Sequence, residues 1–184
     1  DGKVLGDELR RIGYAGAAPL PAHRPQAFVE LHIEQGPVLD AEGITIGAVE
    51  DLQGISWQEI VITGQSNHAG TTPMRLRHDA GYCAAAIAGF LRGLAREMGG
   101  AQVCTVGRIE LVPNLINVIA ARATLTADLR NTDEALLRQA EERVHADDQA
   151  HRAARKLGTK LAQRGDRVRG AGPARLAIID DEPR

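Results

Sequence analysis

Aromatic residues are scarce in this 184-residue chain, which holds one Trp, two Tyr and two Phe. Any core must therefore be assembled from Ala, Val, Leu and Ile. Cysteine is equally sparse. Cys83 and Cys104 are the only two, too few for a disulfide framework or a Cys-rich zinc site, and they suit a reducing cytosol. No apolar run approaches the ~18 residues of a membrane span and no signal-peptide pattern opens the sequence, so no membrane partner and a cytoplasmic location are expected. Neither sign of charge dominates: the formal charge is −2 and the pI near 6.3, which gives no global pull toward nucleic acid or an anionic membrane. The first residue is Asp1 rather than Met, from which a processed or truncated product is expected.

What is present is a 43% hydrophobic share in a length that fits one domain or two small ones. Such a composition favours a soluble α/β protein. "DELRRIGY" at 7–14 has a short helical pattern, and "AAPLPAHRP" at 17–25, with three prolines, is a loop. "AFVELHIE" alternates as a strand, "GPVLDAEG" reads as a short helix or turn, and "ITIGAVEDLQG" as another strand. Residues 1–52 thus resemble the end of a βα unit.

From "ISWQEIVITGQ" onward the pattern is cleaner. That stretch is a strand with Ser56, Gln58, Ile60 and Ile62 on one side. Thr72 is expected to cap a helix beginning at Pro73 and running to Met98, with Cys83, Ile87, Leu91 and Leu94 on its apolar stripe and Gly99 and Gly100 stopping it. "AQVCTVGRIELV" at 101–112 predicts one long strand. "INVIAARATLTADLRN" predicts another, and "TDEALLRQAEERVHA" a helix capped by Thr132. The order from Ile55 is β-α-β-β-α, which one more strand would complete as a two-layer sandwich. That strand is not evident. Residues 146–184 form an atypical tail with Arg and Lys at 152, 155, 156, 160, 164, 167, 169 and 175, expected to be disordered or frameshifted. With no aromatics interleaved and "DDE" following, the tail argues against nucleic-acid binding.

Several polar groups have two readings from spacing alone. His32, between Glu30 and Glu34 in "ELHIEQGP", fits either a metal ligand or a hydrogen-bonded surface histidine. His68, in the Gly-rich "QSNHAGTTP", fits either a turn residue or a donor to a developing oxyanion. Asn114 and Asn117 bracket "LI" as turn residues or amide donors, and Arg130 is either a solvated strand end or a carboxylate clamp.

In combination the motifs are more specific. "AFVELHIEQGPVL", "GQSNHAGTTPM..R.DA" and "PN.INVI" followed by "D.R", in that order, resemble the amidase, hydantoinase and carbamoylase group of zinc aminoacylase-like amidohydrolases. That group includes N-carbamoyl-L-amino acid hydrolases, allantoate amidohydrolases and β-ureidopropionases. The resemblance runs from about Gly6 to about Arg143. It implies that residues 1–52 close the first segment of a metallohydrolase catalytic domain and that 53–145 form a two-layer α/β lid, or dimerisation, domain. His32 matches a ligand to one of two divalent metals (Zn or Mn), and Gln35 a substrate contact. His68 matches a lid histidine that reaches the partner's site in a homodimer and steadies the tetrahedral intermediate. Asn117 and Arg130 match residues that hold a small carboxylate-bearing carbamoyl or ureido substrate.

The sequence also departs from the group. An HxD-type stretch, an adjacent Glu-Glu pair and a final ligand histidine have no match, and "NVIAA" replaces the group's Pro-Gly after "NVI". One His cannot hold two metals. The expectation is therefore an incomplete chain, inactive by itself; the rival expectation is a non-catalytic dimerisation module that retains the lid fold.

Overall fold

The computed structural model describes residues 2–17, 26–146, 160–168 and 176–179, the last two stretches as backbone only. Residues 18–25 of the expected loop and most of the basic tail therefore lie outside the described residues. The chain divides into two compact units, residues 1–47 with 176–184, and residues 48–175.

In the first unit, α1 (Leu5–Arg11) has Asp7 and Glu8 in its first turn and Arg10 and Arg11 in its last, the sense that complements the helix dipole. The expected strand around "ELHIE" is short: β1 is Leu31–His32, paired in parallel with β8 (Leu176–Ile179). Next come α2 (Val38–Glu42), which ends at Gly43 with a left-handed φ of 67°, and β2 (Ile46–Val49). The sheet order is β1-β8-β2.

The second unit is built on β3 (Gly54–Thr63) and β6 (Arg122–Asn131), antiparallel in continuous register from Gly54↔Asn131 to Thr63↔Arg122. Alternation sends Ser56, Gln58, Ile60 and Ile62 of β3 and Ala123, Leu125, Ala127 and Leu129 of β6 to the same buried face. Against it pack α3 (Ala80–Met98), through Cys83, Ile87, Leu91 and Leu94, and α4 (Glu134–Ala146), through Leu137, Ala140 and Val144. Aliphatic side chains do fill this core. Small residues such as Ala84, Ala120, Ala123 and Ala127 let the layers approach closely.

Both helix starts differ from the sequence expectation. Pro73 is extended, with ψ of 146°, and heads only a short 3-10 turn at Met74–Leu76. The α-helix begins later, at Ala80, where Asp79 accepts the Tyr82 N–H at 3.0 Å. At α4 the cap is Asp133, which accepts the amides of Ala135 and Leu136 at 2.7 and 3.0 Å. In each case an aspartate carboxylate takes the first-turn amides, a role Asp fills at least as well as Thr.

The predicted long strand at 101–112 is also divided, into β4 (Val103–Thr105) and β5 (Ile109–Val112), both paired with β6. Thr105 opposes Asp128 and Ile109 opposes Leu125, so four steps on one strand face three on the other. One residue is extra, which is a β-bulge around Gly107. The basic tail supplies a strand that its composition hid: β7 (Lys160–Val168) pairs antiparallel with β3 from Thr63↔Lys160 to Ile55↔Val168. The order of this sheet is β4-β6-β3-β7, with β5 also on β6.

Gly64 closes β3 where a Cβ would lie 2.1 Å from the His78 carbonyl oxygen, whereas Gly89 in α3 has open space. Gly64→Ala is expected to lower unfolding stability by about 1–3 kcal/mol, and Gly89→Ala to raise it by up to about 1 kcal/mol. Urea unfolding checks both, and a neutral Gly64→Ala would contradict the close strand-to-loop approach described here.

Candidate functional site

His32 ends β1, half-buried, with Nδ1 2.6 Å from the Ile33 carbonyl oxygen. A carbonyl fixes Nδ1 as the N–H donor, so the acceptor lone pair is on Nε2, the arrangement metal-binding histidines commonly show. Glu34 is engaged differently. Its two carboxylate oxygens accept from Val38 N and Leu39 N at 2.9 and 3.0 Å, so it caps α2. Gln35 follows with φ of 56°, a left-handed conformation unusual outside glycine, which turns the exposed "EQG" corner.

His68 sits in the second unit on the loop between β3 and α3 and is exposed. Its segment pairs with the chain leading into β6: Ala69 N donates to Asn117 O and Ile119 N to Asn67 O, each at 2.9 Å, with His68 opposite Val118. His68 and Asn117 are thus held on neighbouring antiparallel segments, both displayed to solvent. The "AA" that stands after "NVI" joins this framework, because the carbonyls of Ala120 and Ala121 accept Ala80 N and Gly64 N. Thr72, expected as a helix cap, donates its hydroxyl to the His68 carbonyl at 2.7 Å. Gly70 N donates to His68 Nδ1 at 3.0 Å, which leaves Nε2 as the protonated, outward-facing nitrogen.

Arg130 lies elsewhere. It pairs with Ile55 and Val103 at the opposite end of β6 from Arg122. The eight-residue separation of Arg122 and Arg130 is about 27 Å at roughly 3.4 Å per residue. Its Nε and Nη2 donate to Asp128 at 3.0 and 2.7 Å, and these hydrogen bonds raise the guanidinium pKa further above its ordinary value. Asp128 takes the Nε–Nη2 side of the fork. Nη1 has no partner among the described residues, and with the remaining Nη2 hydrogen it suits a second carboxylate.

Arg77 and Asp79 were assigned no role from the sequence. Arg77 donates to backbone carbonyls of the His68 turn, and both residues line a cavity of about 190 Å³ with Leu111, Asn114 and Leu115. Their signal was the "R.D" spacing before the helix, which propensity alone does not interpret.

No protein-family model matches the chain. It is 40% identical over 147 residues to the N-carbamoyl-L-amino-acid amidohydrolase of Rhizobium meliloti, covering 80% of this chain and 35% of that protein. Against the allantoate amidohydrolase of Escherichia coli K12 the identity is 40% over 148 residues, 79% of this chain and 36% of that one. A solved hydantoinase/carbamoylase family amidase from Burkholderia multivorans superposes with a TM-score of 0.83 at 40% identity, covering 95% of this chain and 41% of the other. The chain belongs to the hydantoinase/carbamoylase family of amidases. It spans about a third of the length of the curated relatives it matches. No helix among the described residues is long and apolar enough to cross a membrane.

A metal pair requires several His, Asp or Glu side chains converging on one place. Among the described residues no three His, Cys, Asp or Glu side chains cluster. His32 offers one nitrogen, and the Glu34 carboxylate is committed to α2. These residues do not compose a two-metal site. Glu34→Ala is expected to cost about 1 kcal/mol at the start of α2 and to speed hydrogen exchange at Val38 and Leu39. Glu34→Gln, with one acceptor oxygen left, should fall between; unchanged exchange in both variants would dismiss the cap.

Proposed function

We propose that the chain is part of an amidohydrolase that cleaves non-peptide C–N bonds in N-carbamoyl amino acids or ureido acids such as allantoate, with residues 53–145 as its lid. The observation that carries this is the exposed His68 imidazole with its proton on Nε2, on a segment hydrogen-bonded through its backbone to the one that carries the exposed Asn117. When a nucleophile adds to a carbamoyl carbon, the carbonyl oxygen becomes negative. A preorganised N–H at that oxygen stabilises the transition state. Asn117 would bind the substrate's polar groups and Gln35 would add a contact. The outer end of the Arg130 fork would hold the carboxylate.

Arg130 lies about 27 Å along β6 from Arg122, the end beyond which the loop carrying His68 emerges, a separation too long for His68 and Arg130 of one lid to grip one small molecule. A site that uses both takes one from each of two protomers, which supports a homodimer. His32 Nε2 would be one ligand of a divalent metal, Zn or Mn. The remaining ligands and the general base would have to come from residues other than those described. The exposed Phe28, Val29, Leu31 and Ile33 support assignment of residues 1–52 to a larger catalytic domain that covers them. Alone, the 184 residues are proposed to be inactive, with the cytoplasm as their compartment.

A second reading is a non-catalytic dimerisation module, favoured by the lack of a three-donor cluster among the described residues. In a full-length form carrying a complete ligand set, His68→Ala is expected to lower turnover of N-carbamoyl amino acids or allantoate by about 100-fold or more with metal content unchanged. His32→Ala should instead deplete the metal. Activity within a few-fold of wild type in both variants would overturn the catalytic roles. Stoichiometric metal retained by the 184-residue chain after dialysis would overturn its proposed inactivity.

A further inference from the structure

Arg77 reaches back over the His68 turn, with Nη2 donating to Ala69 O at 2.6 Å and Nε to Thr72 O at 3.1 Å. The side chain is half-buried, and its partners among the described residues are these two carbonyls, with no carboxylate in ion-pairing reach. A charge partly removed from water gains less from neutral acceptors than from a counter-ion. What arginine offers here over lysine is a rigid planar fork that can engage two fixed acceptors at once.

The position of one acceptor matters most. The Ala69 carbonyl and the Gly70 N–H belong to the same planar peptide unit and point in opposite directions. Fixing the oxygen with Arg77 therefore fixes the N–H, and that N–H donates to His68 Nδ1 at 3.0 Å. The guanidinium also polarises the amide, which strengthens its donation. Gly70 is suited to this contact independently: a Cβ there would lie 3.1 Å from His68 Cε1 and 3.4 Å from Nδ1.

We infer that Arg77 is a positioning residue that acts through the Ala69–Gly70 peptide to set the His68 tautomer, keeping Nδ1 as acceptor and the proton on the outward Nε2. Its catalytic consequence rests on the proposed role of His68, but the tautomer itself can be read in this chain without any activity.

The test is a long-range proton–nitrogen spectrum of the imidazoles in the ¹⁵N-labelled 184-residue chain, together with Gly70 amide exchange. The wild-type chain should show His68 as the Nε2–H tautomer. Arg77→Ala should mix the tautomers and speed Gly70 exchange about tenfold, as expected for loss of a hydrogen bond from a charged donor. Arg77→Lys should restore only part of this. Amides of Leu91 and Leu94 in α3 report whether each variant is folded, and if Arg77→Ala is not, Arg77→Lys and Arg77→Gln decide by the same readouts. A mixed tautomer in wild type, or a folded Arg77 variant with tautomer and exchange unchanged, overturns the inference. Failure of the oxyanion reading would look different: full turnover in His68→Ala of the complete enzyme while the tautomer still depends on Arg77.

Discussion

The antiparallel ladder between β3 and β6 is the constraint on which the second unit depends. Its register runs unbroken from Gly54↔Asn131 to Thr63↔Arg122, and a shift of one residue would turn either Ile60 and Ile62 or Leu125 and Leu129 away from the helices. The same ladder spaces the candidate residues. Arg130 is fixed opposite Ile55, where the chain has just entered the sheet, and the loops carrying His68 and Asn117 emerge beyond Thr63 and Arg122. Strand length thus fixes the separation of Arg130 from the far end of the sheet.

Buried polar groups on the helix-facing side fit this account. Ser56, Gln58, Gln102 and Asn131 are all buried, and each is hydrogen-bonded. Asn131 donates to Gln102 at 2.9 Å and accepts from Asp133 N at 2.9 Å, tying the end of β6 to the segment before β4 and to the start of α4. Leaving one such group unpaired would cost about 1–3 kcal/mol, so these contacts favour one register over its neighbours.

Alternation made β3 and β6 legible in the sequence, because one face of each is covered and the other is not. Helical spacing likewise placed Cys83, Ile87, Leu91 and Leu94 on one stripe, and the α/β class followed. Helix starts were harder. Thr72 and Thr132 carry the right chemistry, but Asp79, seven residues on, and Asp133, one residue on, are the groups that reach the free amides. The bulge at Gly107 and the strand β7 were hidden for a common reason. Both depend on backbone pairing with a partner distant in sequence, and neither leaves a periodic side-chain pattern. At the site, His68 and Asn117 were recognisable as motif members, but their adjacency arises from the 67–69 and 117–119 pairing, which no local pattern encodes.

The two arginines near these candidates illustrate how one side chain can do different physical work. Arg130 is bound side-on by Asp128, so its charge is largely compensated within the strand and its direction is fixed before any ligand arrives. A carboxylate approaching the other end meets an oriented fork but a weakened field, which favours recognition by shape over long-range attraction. Arg77 has the opposite arrangement: its fork is filled by carbonyls and its charge is not neutralised by a nearby acid among the described residues. That uncompensated positive charge lies behind the turn that presents His68. Lysine would reproduce each role only in part, because its compact ammonium on a flexible stem lacks the rigid planar fork that fixes two acceptors at once. Under the proposed roles, one guanidinium orients a ligand and the other an imidazole.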